Sequence, residues 1–538
     1  MSNLPQQVNN RKARHVALEI YQQQSVVPTS LVKYQSQGKL LIIGDQTAIE
    51  FTELLDKKLD STVLLTKGSV SSKQKSIALA DRTVHIEGYL GAFKITITEP
   101  DSEQTDETLN FDIILDLNAK ALLDCAMLPN GYFHCDTDKE SLEQMADQLV
   151  DMVGTFEKPI FIDYDAAICA HSRSGKIACT KCLDACPAQA ISAIAEAVSV
   201  DTYLCQGGGV CATVCPTGAM RYIYPSIEDL LKNSRLLIRS YTEQGGKQPI
   251  IALFAESDGG PICNIEQDNV LPIMIEELAS VGIEVWLSLL AYGAQSVYIV
   301  NRGNTTTRML QEIEQQILVA SEILQAMGYP QQTISMLSME KVHEPLAALM
   351  PEIAQASFAA IGGKRQTVFF AIDHLYEQAE RSRKMANFSS PAMFGTAFVE
   401  DNCTLCHACV AACPGKALQT GQDVPQLKFI EANCVQCGMC TRTCPENAIS
   451  ITPRLLFERE QRQQTRLLFE ESPFNCISCG KPFATRSVIE NMLAKLSTHR
   501  MFQTERAKDR LRMCEDCRVV DVVQDESAMN GEQDQALH

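Results

Sequence analysis

Two runs of cysteine constrain this chain more than anything else in it. Cys403, Cys406, Cys409 and Cys413 read C-x2-C-x2-C-x3-C-P, and Cys434, Cys437, Cys440 and Cys444 repeat the pattern, with Pro414 and Pro445 closing each run. Three thiolates at this spacing wrap a tight loop around three irons of a cubane. The fourth, beside a proline that stops the loop, reaches across to a second cluster. The spacing therefore predicts two [4Fe-4S] clusters. One takes Cys403, Cys406, Cys409 and Cys444; the other takes Cys434, Cys437, Cys440 and Cys413. A pair of zinc sites or a set of buried thiols would not require both repeats and both prolines. Two clusters in one small fold imply that electrons move through the protein.

The chain has 538 residues, which suggests several domains, and it is 45% hydrophobic, enough for ordinary cores. Its formal charge is -19, and anionic clusters would deepen that. Such a balance argues against nucleic acid as a partner and favours basic patches on redox proteins; solubility alone accounts for it equally well. Most of the 22 cysteines sit in ligand-like groups rather than in a disulfide framework, and thiolate ligands need a reducing compartment. The first residues hold no apolar core of a secretory signal, and Arg11 and Arg14 are not a twin-arginine pair. The uncharged, largely apolar stretch 285–301 carries Ser288, Gly293, Gln295 and Ser296, too polar for a membrane span. The expectation is a cytoplasmic protein with no membrane span.

Along the chain, residues 1–35 read as a polar helical lead. Apolar runs at 39–43 (KLLII), 62–65, 111–117 and 159–162 are buried-strand candidates, with a helical pattern beginning at Asp45. They predict a Rossmann-like α/β domain over 36–160. The turn after the first run reads G-D-Q-T-A, not G-x-G-x-x-G, which denies a pyrophosphate the usual close backbone approach. A second α/β unit is expected over 247–337, with strands at 250–254, 284–289 and 296–300 and a helix at 305–327 ended by Gly328 and Pro330. Residues 338–395 read as a helical connector, 454–466 as a basic helical stretch, and 526–538 as a disordered tail.

An imperfect copy of the cysteine runs lies at 161–225. Cys179, Cys182, Cys186 and Pro187 give C-x2-C-x3-C-P, but the first ligand position holds Lys176; Cys169, upstream, is the candidate replacement. The other half has Cys205, Cys211, Cys215 and Pro216, with Gly208 at the second ligand position. One cluster is completed as Cys169, Cys179, Cys182 and Cys215. The other retains Cys186, Cys205 and Cys211. That site reads three ways: a three-iron cluster, a four-iron cluster with an outside ligand (His171, Cys263 or solvent), or an empty site. Glycines 207–209 would bring backbone N–H groups near the sulfides, which raises potential.

Near the end, Cys476 and Cys479 pair with Cys514 and Cys517, a C-x2-C and C-x2-C set suited to a closed tetrahedral site of four sulfurs holding zinc or, second, iron. Around it Lys481, Arg486, Lys495, Arg500, Arg506, Lys508, Arg510, Arg512 and Arg518 form a basic unit, read either as a partner-docking surface or as a solvated helix face. Cys125, Cys135 and Cys263 stand alone and read as small buried hydrophobes. His407, inside a cluster loop, is placed to tune potential rather than to catalyse. No catalytic residues are expected.

The stretches CTLCHACVAACPGKAL and PQLKFIEANCVQCGMCTRTCPENAISITPR resemble the dicluster domain of bacterial polyferredoxin-type proteins associated with formate dehydrogenases, and CISCGKPF with MCEDCR is similar to the tail of that group. IIALFAES, AYGAQSVYIV and SEILQAMGYPQQTISML resemble the delta subunit of methyl-viologen-reducing hydrogenase, whose domain holds a [2Fe-2S] cluster; here only Cys263 is present. The architecture expected is α/β plus α+β and multidomain. Ferredoxin-like modules at 161–225 and 396–453 flank an α/β domain at 247–337, after the Rossmann-like domain and before a four-cysteine, zinc-type domain at 454–525. The resemblance implies an electron carrier that relays single electrons between a dehydrogenase, formate dehydrogenase by association, and another redox carrier. The alternative is a redox sensor or maturation factor for a molybdoenzyme.

Overall fold

The computed structural model describes residues 4–24, 28, 30–67, 75–80, 82–99, 107–135, 137–173, 175–256, 265–422 and 424–525. The expected tail at 526–538 and Cys263 lie outside them. The chain divides into two compact units, one of residues 1–167 and 180–381, the other of 168–179 and 382–538.

The first unit begins with the helix Leu4–Gln22, followed by the strand Leu31–Ser36, which pairs antiparallel with Gly154–Pro159. A five-stranded parallel sheet follows. Its order is Ser76–Ala78, Asp60–Leu65, Lys39–Gly44, Ile113–Asp116, Tyr132–His134. Lys39–Gly44 is buried from Leu40 onward because both faces of the sheet are covered. On one face Leu40, Ile42, Val63 and Ile113 pack with Ala48, Phe51, Leu142 and Leu149 from two helices. On the other, Leu41, Ile43 and Leu64 meet Ile86, Phe93, Ile95 and Ile97. Those residues come from an antiparallel meander, Thr83–Glu87, Phe93–Thr98 and Glu107–Phe111, inserted between two parallel strands. Helices thus cover one face and a β-layer the other. At the G-D-Q-T-A turn, the Asp45 carboxylate accepts from the Thr47 amide at 3.0 Å and caps the short helix Gln46–Phe51 itself.

The same unit contains a second parallel sheet, ordered Val270–Ile275, Ile250–Ala255, Ser296–Asn301, Ile334–Ser338. The helix Thr307–Met327 follows the third of these strands in sequence. The Thr306 hydroxyl accepts from the Met309 amide, and Gly328 at φ +92° ends the helix. Residues 284–289, expected as a strand, form part of the helix Ile283–Ala291. Every residue of that helix is buried, so its apolar run shows neither a 2- nor a 3.6-residue period. The run 159–162 likewise divides between two strands, Gly154–Pro159 and Ile162–Tyr164. Residues 338–395, expected as a helical connector, contain one long helix, Lys364–Gln378.

The second unit has two three-stranded sheets. Met385–Asn387, Ile449–Leu456 and Gly395–Val399 form one; Leu418–Thr420, Gln426–Ile430 and Thr465–Glu470 form the other. The stretch 454–466, expected as a helix, is strand at its two ends, 454–456 and 465–466. Only Arg459–Gln463 is helical, because Arg454 and Arg466 are used on the strands. Arg454 forms a two-pronged pair with Glu431, at 2.9 and 2.7 Å, and Arg466 lies over the Phe429 ring. The unit ends in a hairpin, Pro473–Asn475 with Pro482–Thr485, and the helices Arg486–Leu496, Glu505–Leu511 and Glu515–Val523. Among the described residues no helix is long and apolar enough to cross a membrane.

Candidate iron-sulfur and metal centres

In the second unit, Cys403, Cys406, Cys409 and Cys444 line one cavity, together with Leu405, His407 and Ile449. Cys413, Cys434, Cys437 and Cys440 line another, with Phe429, Val435 and Met439. Each cavity thus draws three cysteines from one run and the fourth from the other. The local backbone explains how. Leu405 and His407 (φ +53° and +58°) match Gln436 and Gly438 (+54° and +78°) and coil each loop so that its three thiols converge. Short helices, Ala408–Ala412 and Met439–Thr443, then carry the chain to the fourth cysteine. After it, Lys416 and Asn447, both at φ +52°, turn the chain back. The Ala417 and Ala448 amides donate to the Cys413 and Cys444 sulfurs, each at 3.3 Å.

The electrostatics suit a cation-rich guest. Burial, followed by the crowding of Cys403, Cys406 and Cys444, pushes the Cys409 thiol up to about 12. Burial pushes Cys437 up to about 11 against the Met439 amide, with Cys413, Cys434 and Cys179 adding to it. Burial and its neighbours raise Cys440 as well. Buried thiols crowded in this way resist ionising together unless cations sit among them, and iron supplies those. The residues present fit a [4Fe-4S] cluster in each cavity.

The first unit repeats this local geometry. Gly207 and Gly209 (φ +78° and +73°) stand where Leu405 and His407 do, and Gln189 (φ +51°) stands where Lys416 does. The Ala190 amide donates to the Cys186 sulfur at 3.3 Å, as Ala417 and Ala448 do to theirs. Glycine is required at 209, where a Cβ would come within 2.4 Å of Ser280 Cα. Cys211 is buried, and its thiol is raised first by that burial and then by Cys205, Cys186, Cys182 and Cys215. Burial raises Cys205 too, while the Gly207 amide and Lys158 oppose it. The Lys158 ammonium donates to the Cys205 carbonyl at 2.6 Å. The set expected as Cys169, Cys179, Cys182 and Cys215 is divided: Cys169 and Cys179 belong to the second unit, Cys182 and Cys215 to the first. His171, also in the second unit, is buried; its Nδ1 donates to the Cys179 carbonyl at 2.9 Å, and Nε2 has no partner among the described residues.

In the terminal unit the sulfurs of Cys476, Cys479, Cys514 and Cys517 all lie within 4.8 Å of one another. A tetrahedral site with metal–sulfur bonds of about 2.3 Å has sulfurs about 3.8 Å apart. Cys479 and Cys514 are 3.7 Å apart. The Gly480 amide donates to the Cys476 carbonyl at 2.9 Å, Gly480 sits at φ +75°, and Cys514 opens the helix Glu515–Val523. Burial pushes the Cys476 thiol up, but the amides of Cys479, Cys514 and Ser478 outweigh it and bring it to about 6. This group suits a closed metal site. The basic residues around it are largely compensated. Arg506 and Arg510 pair with Asp521 and Asp525, Lys508 with Glu505, Arg512 with Asp509, Lys495 with Glu446, Lys481 with Asp516 and Arg486 with Glu490. The side chain of Arg500 lies outside the described residues. Seven of the nine basic residues named from sequence thus meet carboxylates, and Arg518 donates instead to the Arg510 and Met513 carbonyls.

Of the isolated cysteines, Cys135 packs partly buried against the first core, and burial raises the Cys125 thiol. The His407 ring faces the Gln426 carbonyl at 3.3 Å.

Three family models match the chain. A 4Fe-4S dicluster domain matches residues 402–449, a second 4Fe-4S dicluster domain matches 433–484, and a 4Fe-4S binding domain matches 198–221. No curated protein matches it. With the cysteine geometry, these matches support iron-sulfur cluster binding and electron transfer by these modules. The second model runs into Cys476 and Cys479, which the structure instead brings together with Cys514 and Cys517.

Proposed function

We propose that the chain is a multi-cluster electron carrier. The observation that carries this is the pair of cavities in one small core, each lined by four cysteines drawn from both runs. The cluster ligands proposed are Cys403, Cys406, Cys409 and Cys444; Cys434, Cys437, Cys440 and Cys413; and, in the divergent module, Cys186, Cys205 and Cys211. The further set Cys169, Cys179, Cys182 and Cys215 rests on spacing alone. When bound, the clusters supply one-electron redox chemistry. The protein buries them, and its N–H···S bonds from Ala190, Ala417 and Ala448 tune their potentials. The terminal four-cysteine group takes zinc and fixes the terminal hairpin to its helices. Residues 36–160 act as a Rossmann-like scaffold. The carrier works in the cytoplasm, where thiolates stay reduced. By sequence resemblance, its electron donor or acceptor is a formate dehydrogenase. The test is anaerobic stopped-flow mixing of the holoprotein with formate dehydrogenase and formate. Bleaching of the cluster absorbance within the turnover time supports the assignment. No bleaching with formate dehydrogenase, but bleaching by dithionite, removes that partner and leaves the carrier.

A further inference from the structure

Gly208 takes the place of a ligand cysteine in a loop whose backbone otherwise repeats the two complete ones. Cys205, Gly207, Gly209 and Cys211 correspond to Cys403, Leu405, His407 and Cys409, and to Cys434, Gln436, Gly438 and Cys440. The position answering to Cys406 and Cys437 is Gly208. Its φ lies outside the left-handed region, so the backbone itself would admit a cysteine. The space where that cysteine would project is filled by sulfur. A Cβ on Gly208 would lie 3.3 Å from Met127 Sδ, 3.5 Å from Met309 Cε and 3.6 Å from Met309 Sδ. Met127 presents its sulfur as the nearest atom, whereas Met309 presents its methyl group first.

Met127 is also fixed to the ligand loop. Its amide donates to the carbonyl of Pro187, the residue after Cys186, at 3.1 Å. Three residues earlier, the Asp124 carbonyl accepts from the Gln189 side chain at 2.8 Å. Met309 is buried and held at the start of its helix by the Thr306 cap. Thioether sulfur is a soft ligand of the kind that iron-sulfur centres accept. Of the outside ligands weighed from sequence, His171 belongs to the other compact unit and Cys263 lies outside the described residues.

We propose that the cluster on Cys186, Cys205 and Cys211 takes its fourth ligand from the Met127 thioether, with Met309 walling the same corner. This rests on the reading that residues 198–221 hold a cluster. A neutral thioether in place of a thiolate leaves the cluster less negative, and net charge is one of the determinants of potential. This cluster therefore has a higher potential than one with four thiolates in the same surroundings.

The test uses the full chain, purified anaerobically, as wild type, Cys205→Ser, Met127→Leu, Met309→Leu, Gly208→Cys and Gly208→Cys/Met127→Leu. Iron and sulfide are quantified and each protein is titrated potentiometrically with EPR detection. Loss of about four irons in Cys205→Ser shows that the module holds a cluster; no loss removes the reading on which the proposal stands. With that loss observed, Met127→Leu should change the spectrum and potential of one cluster, and Met309→Leu should change them less. Gly208→Cys should lower the potential of the same cluster, and adding Met127→Leu to it should have no further effect. Iron loss in Cys205→Ser with a wild-type spectrum and potential in Met127→Leu overturns the thioether ligand while leaving the cluster in place.

Discussion

Arg442 donates from Nη1 to the carbonyl oxygen of Ile177 at 2.7 Å, joining the small hairpin of residues 172–177 to the helix that carries Cys440. Two residues after Ile177, Cys179 is close enough to help raise the Cys437 thiol. A sequence-distant cysteine is thereby held beside a cluster cavity within one unit. A charged donor to a carbonyl contributes about 1.5–3 kcal/mol. Arg442→Ala should therefore speed hydrogen exchange at the Ala178 amide, which bonds the His171 carbonyl, by about tenfold or more, with exchange in the first unit unchanged. Equal exchange in both proteins would show that the hairpin holds without Arg442.

The pair of Glu431 and Arg454 predicts a large stability effect. The two side chains are 6% and 18% exposed and meet in two hydrogen bonds. Removing one partner of a buried pair leaves the other charge unmatched, at a cost of about 3–5 kcal/mol. Glu431→Ala should lower the denaturation midpoint of the second unit accordingly, and Glu431→Ala/Arg454→Met should recover much of the loss. A change below about 1 kcal/mol for Glu431→Ala would show that water replaces the pair.

At the terminal site, Cys514→Ser should release one metal ion per chain without changing the iron content. It should also expose residues 473–525 to proteolysis, since the sulfurs tie the hairpin to its helix. Retention of the metal, or equal loss of iron, would contradict an independent structural site.

Glu276 predicts a pH dependence. Burial, then Glu256 and Glu277, push its carboxyl from 4.5 to about 7. Below pH 4.5 the group is protonated in both folded and unfolded chains and costs nothing. As pH rises to about 7, the unfolded chain ionises first, so stability falls across that window and then levels. Glu276→Gln should flatten this part of the profile and raise the melting temperature at pH 8. An unchanged slope between pH 4.5 and 7 would assign the dependence to other groups.

What could be read from sequence followed from how local each constraint is. Cysteine runs with closing prolines report loop geometry directly, and the structure lines its two cavities with quartets of the same interleaved kind. The helix Thr307–Met327 was legible because Gly328 and Pro330 mark its end; its Thr306 cap came only with the structure. The helix Ile283–Ala291 was not, because burial on every side erases periodicity. The meander that covers one face of the first sheet carries ordinary strand patterns, and nothing in them says which layer it joins. Cys169 and Cys179 sit upstream of Cys182 in one motif, yet the chain crosses between compact units after Cys179, which spacing does not reveal. Met127 lies in an irregular segment far in sequence from Gly208, and a lone methionine gives no signal until the backbone places it.

The most direct test of the central claim is a potentiometric EPR titration of the anaerobically purified chain, with iron and sulfide counted on the same sample. The account predicts reversible one-electron signals and at least about eight irons from the two cavities of the second unit. Cys409→Ser and Cys440→Ser should each remove one cluster. Iron well below eight after anaerobic reconstitution, or clusters that do not reduce reversibly, would contradict an electron carrier.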